Sequence, residues 1–196
     1  MVSKTRDKLI EVARQLFAYK GVENTTMNDI AAASDKGRRT IYIYFKNKRE
    51  IYNAVVERQS DVVISRLRAV VDSEKPPMEK LVAYLMLRFD ILSETAPKHE
   101  RHRLIFSRDH RRMERIQRLA LAKERELFSV LLKQGIAEGV FDSEQARRLT
   151  SFLTVTFTGV DSCQLQGAFE LNGLQIEDVR DNLIKFVTEG IKKQPN

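Results

Sequence analysis

Cysteine occurs once in these 196 residues, at Cys163. A single thiol cannot close an internal disulfide, which excludes a cross-linked secreted scaffold and fits a reducing compartment. Glycine (eight) and proline (four) are sparse. No Asn-Gly or Asp-Gly pair joins alternating apolar runs, so the local signal for β-hairpins is missing. Residues 42–45 are β-prone alone but too few to carry a sheet. No run approaches the ~20 apolar residues that span a bilayer; the least polar stretch, 151–160, is half Ser, Thr and Gly. Lys4, Arg6, Asp7, Lys8, Glu11 and Arg14 interrupt every apolar run near the start, unlike a signal peptide. A cytoplasmic protein with no membrane partner is expected. Gly-x-Ser-x-Gly, His-Glu-x-x-His, a phosphate-cradling glycine loop and paired cysteines are all missing, so neither an enzyme nor a cofactor is expected. No repeat or low-complexity tract occurs.

What is present is helical. Apolar residues make up 42%, enough for a sizeable core. Lys plus Arg is 34 against 27 for Asp plus Glu, a formal charge of +7. That balance suits a phosphate-bearing partner, although it also keeps a protein soluble. Leu9, Ala13, Leu16 and Phe17 make one buried face of a first helix over 4–19, and Gly21 follows as its stop. Thr26 and Asp29 form a capping box for a short second helix with Ile30 and Ala31 inward. Residues 34–37 make a turn and 38–44 a third helix. Asn47 and Glu50 box the start of a fourth, which continues to Val71. Two prolines break the pattern over 73–77, and Pro77 suits the first turn of the next helix, which reaches about residue 94. Residues 95–100, with Pro97, form another break. Later helices are expected over 111–138, over 143–166 with Ser143 as cap, and over 176–192. The last carries an apolar stripe of Ile176, Val179, Leu183, Ile184, Val187 and Ile191. A domain boundary is placed near Gln59, giving 1–58 and 59–196.

Three short helices, the last two joined by a tight turn, describe a helix-turn-helix. Its third helix would enter a major groove with Arg38 and Arg39 at its start, each able to pair with guanine or hold a phosphate. Lys36 precedes them; Thr40, Tyr42 and Tyr44 bring hydroxyls to the same region, with Tyr42 favoured toward DNA and Phe45 toward the core. Lys46 and Lys48 follow, Lys48 in the first turn of the fourth helix, where a lysine suits a phosphate. Thr26 can add a phosphate contact to its capping. The expected partner is double-stranded DNA.

The segment TTMNDIAAASDKGRRTIYIYFKNKREIY resembles the DNA-binding region of the tetracycline-repressor (TetR/AcrR) family, over residues 4–52. The resemblance lies in the Thr-x-x-Asp-Ile-Ala second helix, the Thr-x-Tyr-x-Tyr-Phe third helix and the Lys-Asn-Lys start of the fourth. Asp35, Lys36 and Gly37 depart from it, standing where Gly-Val-Ser is usual in the turn. The resemblance implies an all-α fold of about nine helices: an N-terminal three-helix helix-turn-helix domain and a C-terminal helical ligand-binding and dimerisation domain. It further implies a homodimer joined through the last two helices, here with Phe152, Val160, Cys163, Leu183 and Val187 at the interface. A C-terminal pocket for an unknown small-molecule effector would be lined by Tyr84, Met86, Phe89, Phe106, Met113, Phe128, Phe157 and Asp161. These aromatic and Met residues also fit an ordinary core. The function implied is a repressor released from a pseudo-palindromic operator by that effector. The alternative is a chromosome-organising or interaction protein with the same DNA grip. His99, His102 and His110 cluster, but Arg101, Arg103, Arg108, Arg111 and Arg112 crowd the same stretch and oppose a cation. A solvated basic face is expected there rather than a metal site, with docking of an acidic ligand or partner as the other reading. Cys163, in an apolar helix, fits packing or an interface better than redox sensing.

Overall fold

The computed structural model describes residues 2–95, 110–166 and 168–192. Among them are nine helical segments and no strand: α1 (Val2–Lys20), α2 (Met27–Ala33), α3 (Arg38–Tyr44), α4 (Lys48–Val71), α5 (Pro77–Thr95), α6 (His110–Ala137), α7 (Ser143–Gln166), α8 (Ala168–Leu171) and α9 (Ile176–Ile191). The all-α expectation holds; α8, a single turn, was not foreseen. None of the described helices is long and apolar enough to cross a membrane. The chain forms two compact units whose boundaries fall within α4, between Val62 and Val63, and within α6, between Gln117 and Arg118, so that the start of α6 belongs with the first unit.

The first unit closes around side chains at helical spacing. Leu9, Ile10, Ala13 and Phe17 of α1 meet Ile30 of α2, Ile41 of α3 and Ile51 and Val55 of α4, all nearly inaccessible to water. Burying each large apolar side chain contributes roughly 1.5–3 kcal/mol, offset by the entropy of ordering the chain. Gly21, at φ +84, ends α1 where a side chain would be strained. Thr26 starts α2 with a complete capping box: the Asp29 N–H donates to the Thr26 hydroxyl at 3.1 Å, and the Thr26 N–H to the Asp29 carboxylate at 2.7 Å. At α4 the box is offset by one residue. The Glu50 N–H donates to the Asn47 side-chain oxygen at 3.1 Å, whereas the Glu50 carboxylate accepts from the backbone N–H of Lys46, not of Asn47.

The second unit packs the later part of α4 with α5, α6 from Arg118 onward, and α7 to α9. Its core runs from Leu67 and Val71 through Leu81, Leu85 and Phe89 to Leu131, Leu153, Phe157, Val187 and Ile191. The stripe foreseen on α9 lies against this core, and α9 packs along α5 and α7. The corner between α6 and α7 is tight. The N–H groups of Val140 and Phe141 both donate to the Gly135 carbonyl, at 2.9 and 3.0 Å, and Asp142 N–H donates to the Ile191 carbonyl at 2.9 Å. Ser143, expected as the cap of α7, is its first helical residue; the preceding Asp142 carboxylate accepts from the N–H groups of Glu144 and Gln145, at 3.0 and 2.9 Å. An anionic carboxylate also suits the positive end of a helix better than a hydroxyl does.

Candidate nucleic-acid interface and effector cavity

Two inward residues orient α3. Ile41 and Phe45, four apart, are 0% and 3% exposed in the first unit's core, with Tyr44 half-buried against them. Helical geometry then turns Arg39 and Ile43, four apart, to the opposite side, and Arg38 stands at the open start of the helix. Arg38, Arg39 and Lys36 are exposed, as are Tyr42 and Ile43, the latter at 72%. The Arg38 guanidinium lies 5.9 Å from the centre of the Tyr42 ring, one turn on. Neither arginine forms an ion pair among the described residues. The approach to this helix is a turn in which Asp35 has φ +55, the left-handed region foreseen from its standing where glycine is usual. Gly37 caps α3 by backbone alone, with no side-chain bond.

The other basic residues divide. Lys46 is exposed. Lys48 instead reaches back to the corner between α1 and α2, donating to the carbonyls of Val22 and Glu23 at 2.7 and 3.0 Å. Partial burial lowers its pKa. Two of its three N–H donors are therefore spent on the fold, leaving one to point elsewhere. Thr26 is similarly engaged: its hydroxyl both accepts from and donates to Asp29. Thr40 is half-buried. Two features were missed in the sequence. The Lys20 ammonium pairs with Asp29 at 2.8 Å, and the combined bonds from Lys20 and Thr26 hold that carboxyl at about 2. Ile43 was passed over because only charged and hydroxyl groups were sought, although it lies off the Ile41–Phe45 face.

The second unit contains a small cleft, partly open to solvent, lined by Tyr84, Leu121, Glu124, Phe128, Leu153 and Phe157 among others. Three of the expected pocket residues are there. Phe89 is buried and packs edge-on against Phe157, with ring centres 5.8 Å apart, but does not line the space. Met86 is exposed and outside it. Phe106 and the side chain of Met113 lie outside the described residues, as do His99, His102 and the His110 side chain.

Behind the cavity wall lies a charged cluster. Arg88 donates to Glu124 at 2.7 Å and to Asp161 at 2.6 Å, joining α5, α6 and α7, and its guanidinium sits 5.0 Å from the centre of the Phe157 ring. Burial opposes the charge on Arg88, but the two carboxylates outweigh it and raise its pKa. Burial pushes the Glu124 carboxyl up despite Arg88. The Tyr84 hydroxyl donates to the Glu124 carbonyl at 3.3 Å, and burial pushes its phenol up strongly. Asp161, expected to line the pocket, stands in this cluster and does not line the cavity; Arg88 and Glu124 were not foreseen. The signal was available: Leu81, Leu85, Arg88 and Leu92 share one helical stripe, and a charge on an apolar stripe demands a buried partner.

On α7 and α9, Phe152, Val155 and Phe186 are 44%, 73% and 62% exposed, and the Phe152 and Phe186 ring centres lie 5.9 Å apart. Of the other residues expected at an interface, Val187 and Val160 are 1% and 8% exposed inside the chain's own core, so they face inward. Leu183 and Cys163 are partly buried against that core.

Residues 9–55 match the tetR family of bacterial regulatory proteins. The transcriptional repressor KstR2 of Mycobacterium tuberculosis is 28% identical over 145 residues, covering 71% of this chain and 70% of that protein. A transcriptional regulator of Cytophaga hutchinsonii has a similar fold, with TM-score 0.75 and 21% identity over 94% of this chain and 97% of that one. So does a regulator of Saccharomonospora viridis solved with choline: TM-score 0.70 and 19% identity over 98% of this chain and all of the other.

Proposed function

Because this chain belongs to the TetR family of bacterial regulatory proteins, we propose that it is a cytoplasmic, homodimeric repressor that leaves a pseudo-palindromic operator when a small molecule fills its second unit. The observation that carries the reading is the exposed surface of α3, where Arg38 and Arg39, which make no ion pair among the described residues, stand with Tyr42 and Ile43 while Ile41 and Phe45 anchor the helix from behind. Arginines on such a face hold guanine edges or phosphates, and an exposed isoleucine fits a thymine methyl. In this division residues 1–58 serve DNA and 59–196 serve the effector and the partner subunit. Lys36 and Lys46 reach phosphates; Lys48 chiefly braces the fold beneath them.

Dimerisation is supported by the exposed apolar face of Phe152, Val155 and Phe186. Gly159 and Gly190, with open space where a Cβ would stand, let a partner helix approach closely. An effector is supported by the cleft in the second unit and by the similar fold of the S. viridis regulator solved with choline. Selection of bound DNA from a random pool tests the reading. Inverted half-sites about 34–36 Å apart, or a small multiple, are expected, with affinity falling steeply as salt rises. Arg38→Ala or Arg39→Ala should relax base preference at a cost of roughly 1–3 kcal/mol where the residue reads a base. Recovery of no inverted repeat, or dispersed occupancy without preferred sites, would overturn it.

A further inference from the structure

The cavity has a charge asymmetry that effector binding alone does not require. Arg88 has two partners, and both are acids: Glu124 at 2.7 Å and Asp161 at 2.6 Å. With one guanidinium facing two carboxylates, the cluster carries one negative charge in excess. Its side chains are largely withdrawn from water, Arg88 being 8% and Glu124 16% exposed, and one oxygen of Asp161 is buried with no hydrogen-bond partner. Burial pushes the Glu124 carboxyl up against the pull of Arg88. Of the three groups, only Glu124 lines the cavity.

The remaining wall agrees in sign. Tyr84, Phe128 and Phe157 line the same space as Glu124, and aromatic rings attract cations most strongly where water is excluded. Arg88 is held by both acids and lies over Phe157, so it does not line the cavity as a site for an anion. Arg125 also lines the cavity, but it is exposed, and a hydrated guanidinium is screened by solvent and salt. Arg88 thus acts as a positioning residue, fixing Glu124 from behind. We propose that this cavity takes an amphipathic organic cation, a protonated amine or quaternary ammonium on an apolar body, with its charge at Glu124. The proposal rests on the effector reading above and specifies its chemistry.

Calorimetric titration of the intact protein with hexylammonium, hexan-1-ol and hexanoate tests it, since the three share a chain and differ in head-group charge. Hexylammonium should bind on the order of tenfold tighter than hexan-1-ol, and hexanoate weakest. Glu124→Gln should bring the ammonium and the alcohol to within about twofold of each other. Phe128→Leu keeps an apolar wall without the ring and should weaken the ammonium more than the alcohol; it decides the matter if Glu124→Gln does not fold. Equal or tighter binding of the alcohol or carboxylate by the parent protein overturns the cationic assignment and leaves the effector cavity standing. Binding of none of the three overturns both readings. A preference unchanged in the folded variants overturns the assignment to Glu124 and the rings.

Discussion

Replacing Gly135 with alanine sets two effects of opposite sign against each other at the corner between α6 and α7. Gly135 lies within α6, and glycine to alanine in a helix ordinarily stabilises by about 1 kcal/mol. A Cβ at this position, however, would stand 2.0 and 2.2 Å from two carbons of the Phe141 ring. To reach ordinary contact near 3.5 Å the ring must retreat by roughly 1.5 Å. It has little room, being 2% exposed, and its backbone is held by the bond from its own N–H to Gly135 and the bond from Asp142 to Ile191. Overpacking of this kind costs typically about 1–3 kcal/mol and occasionally more. A clash this short belongs at or above the top of that range, so a net destabilisation of about 2 kcal/mol is expected. In a chain of this size that lowers Tm by about 4–8 °C, readable by calorimetry or urea titration. Phe141→Ala alone should cost about 3–5 kcal/mol. In that background Gly135→Ala should become neutral or stabilising, because the ring it met is gone, and the double-mutant cycle should show this coupling. A Gly135→Ala protein that melts at or above the parent temperature would refute the reasoning.

Acid titration offers a second check, on Asp29. Its folded-state carboxyl is held at about 2 by Lys20 and Thr26, below the usual ~3.9, so its contribution to stability is present above about pH 4 and is lost as pH falls toward 2. Asp29→Asn should flatten that part of the stability profile by circular dichroism; an unaltered profile counts against the linkage. Asp35→Gly should be more stable than Asp35→Ala by about 1 kcal/mol in urea, since φ +55 suits glycine and not alanine; equal stability would mean that the turn carries no strain. Lys48→Met keeps the stem but removes two bonds to carbonyls, and should destabilise the first unit by roughly 1–3 kcal/mol while changing the salt slope of DNA binding by less than Lys46→Met does. Phe186→Glu should give monomers by sedimentation; a persistent dimer would remove the apolar face of α7 and α9 from the interface.

The first unit was legible almost to the residue because short-range rules govern it. The bounds of α3, the Thr26–Asp29 box and the strained turn at Asp35 follow from spacing, capping and a comparison with where glycine is usual. What stayed hidden depends on residues far apart in sequence. Lys48 sits in a helical first turn where phosphate binding is the natural reading, and nothing local signals that Val22 and Glu23 lie within its reach. Arg88 is separated from Asp161 by 73 residues, so only its position on an apolar stripe could have raised the question of a partner. The sequence also shows which α7 and α9 positions are apolar without saying which side is occupied by the subunit itself. Val187 and Phe186 are neighbours, one enclosed and the other open to water.

The attachment of Lys48 to the corner between α1 and α2 has a mechanical consequence. A rotation of the first turn of α4 is passed through two short bonds to the loop that precedes α2, so these parts respond together instead of sliding past one another. Cutting this tether while leaving the exposed surface of α3 intact would let the corner between α1 and α2 follow α4 with slack, and under the proposed function the cost would appear in release by the effector more than in DNA binding.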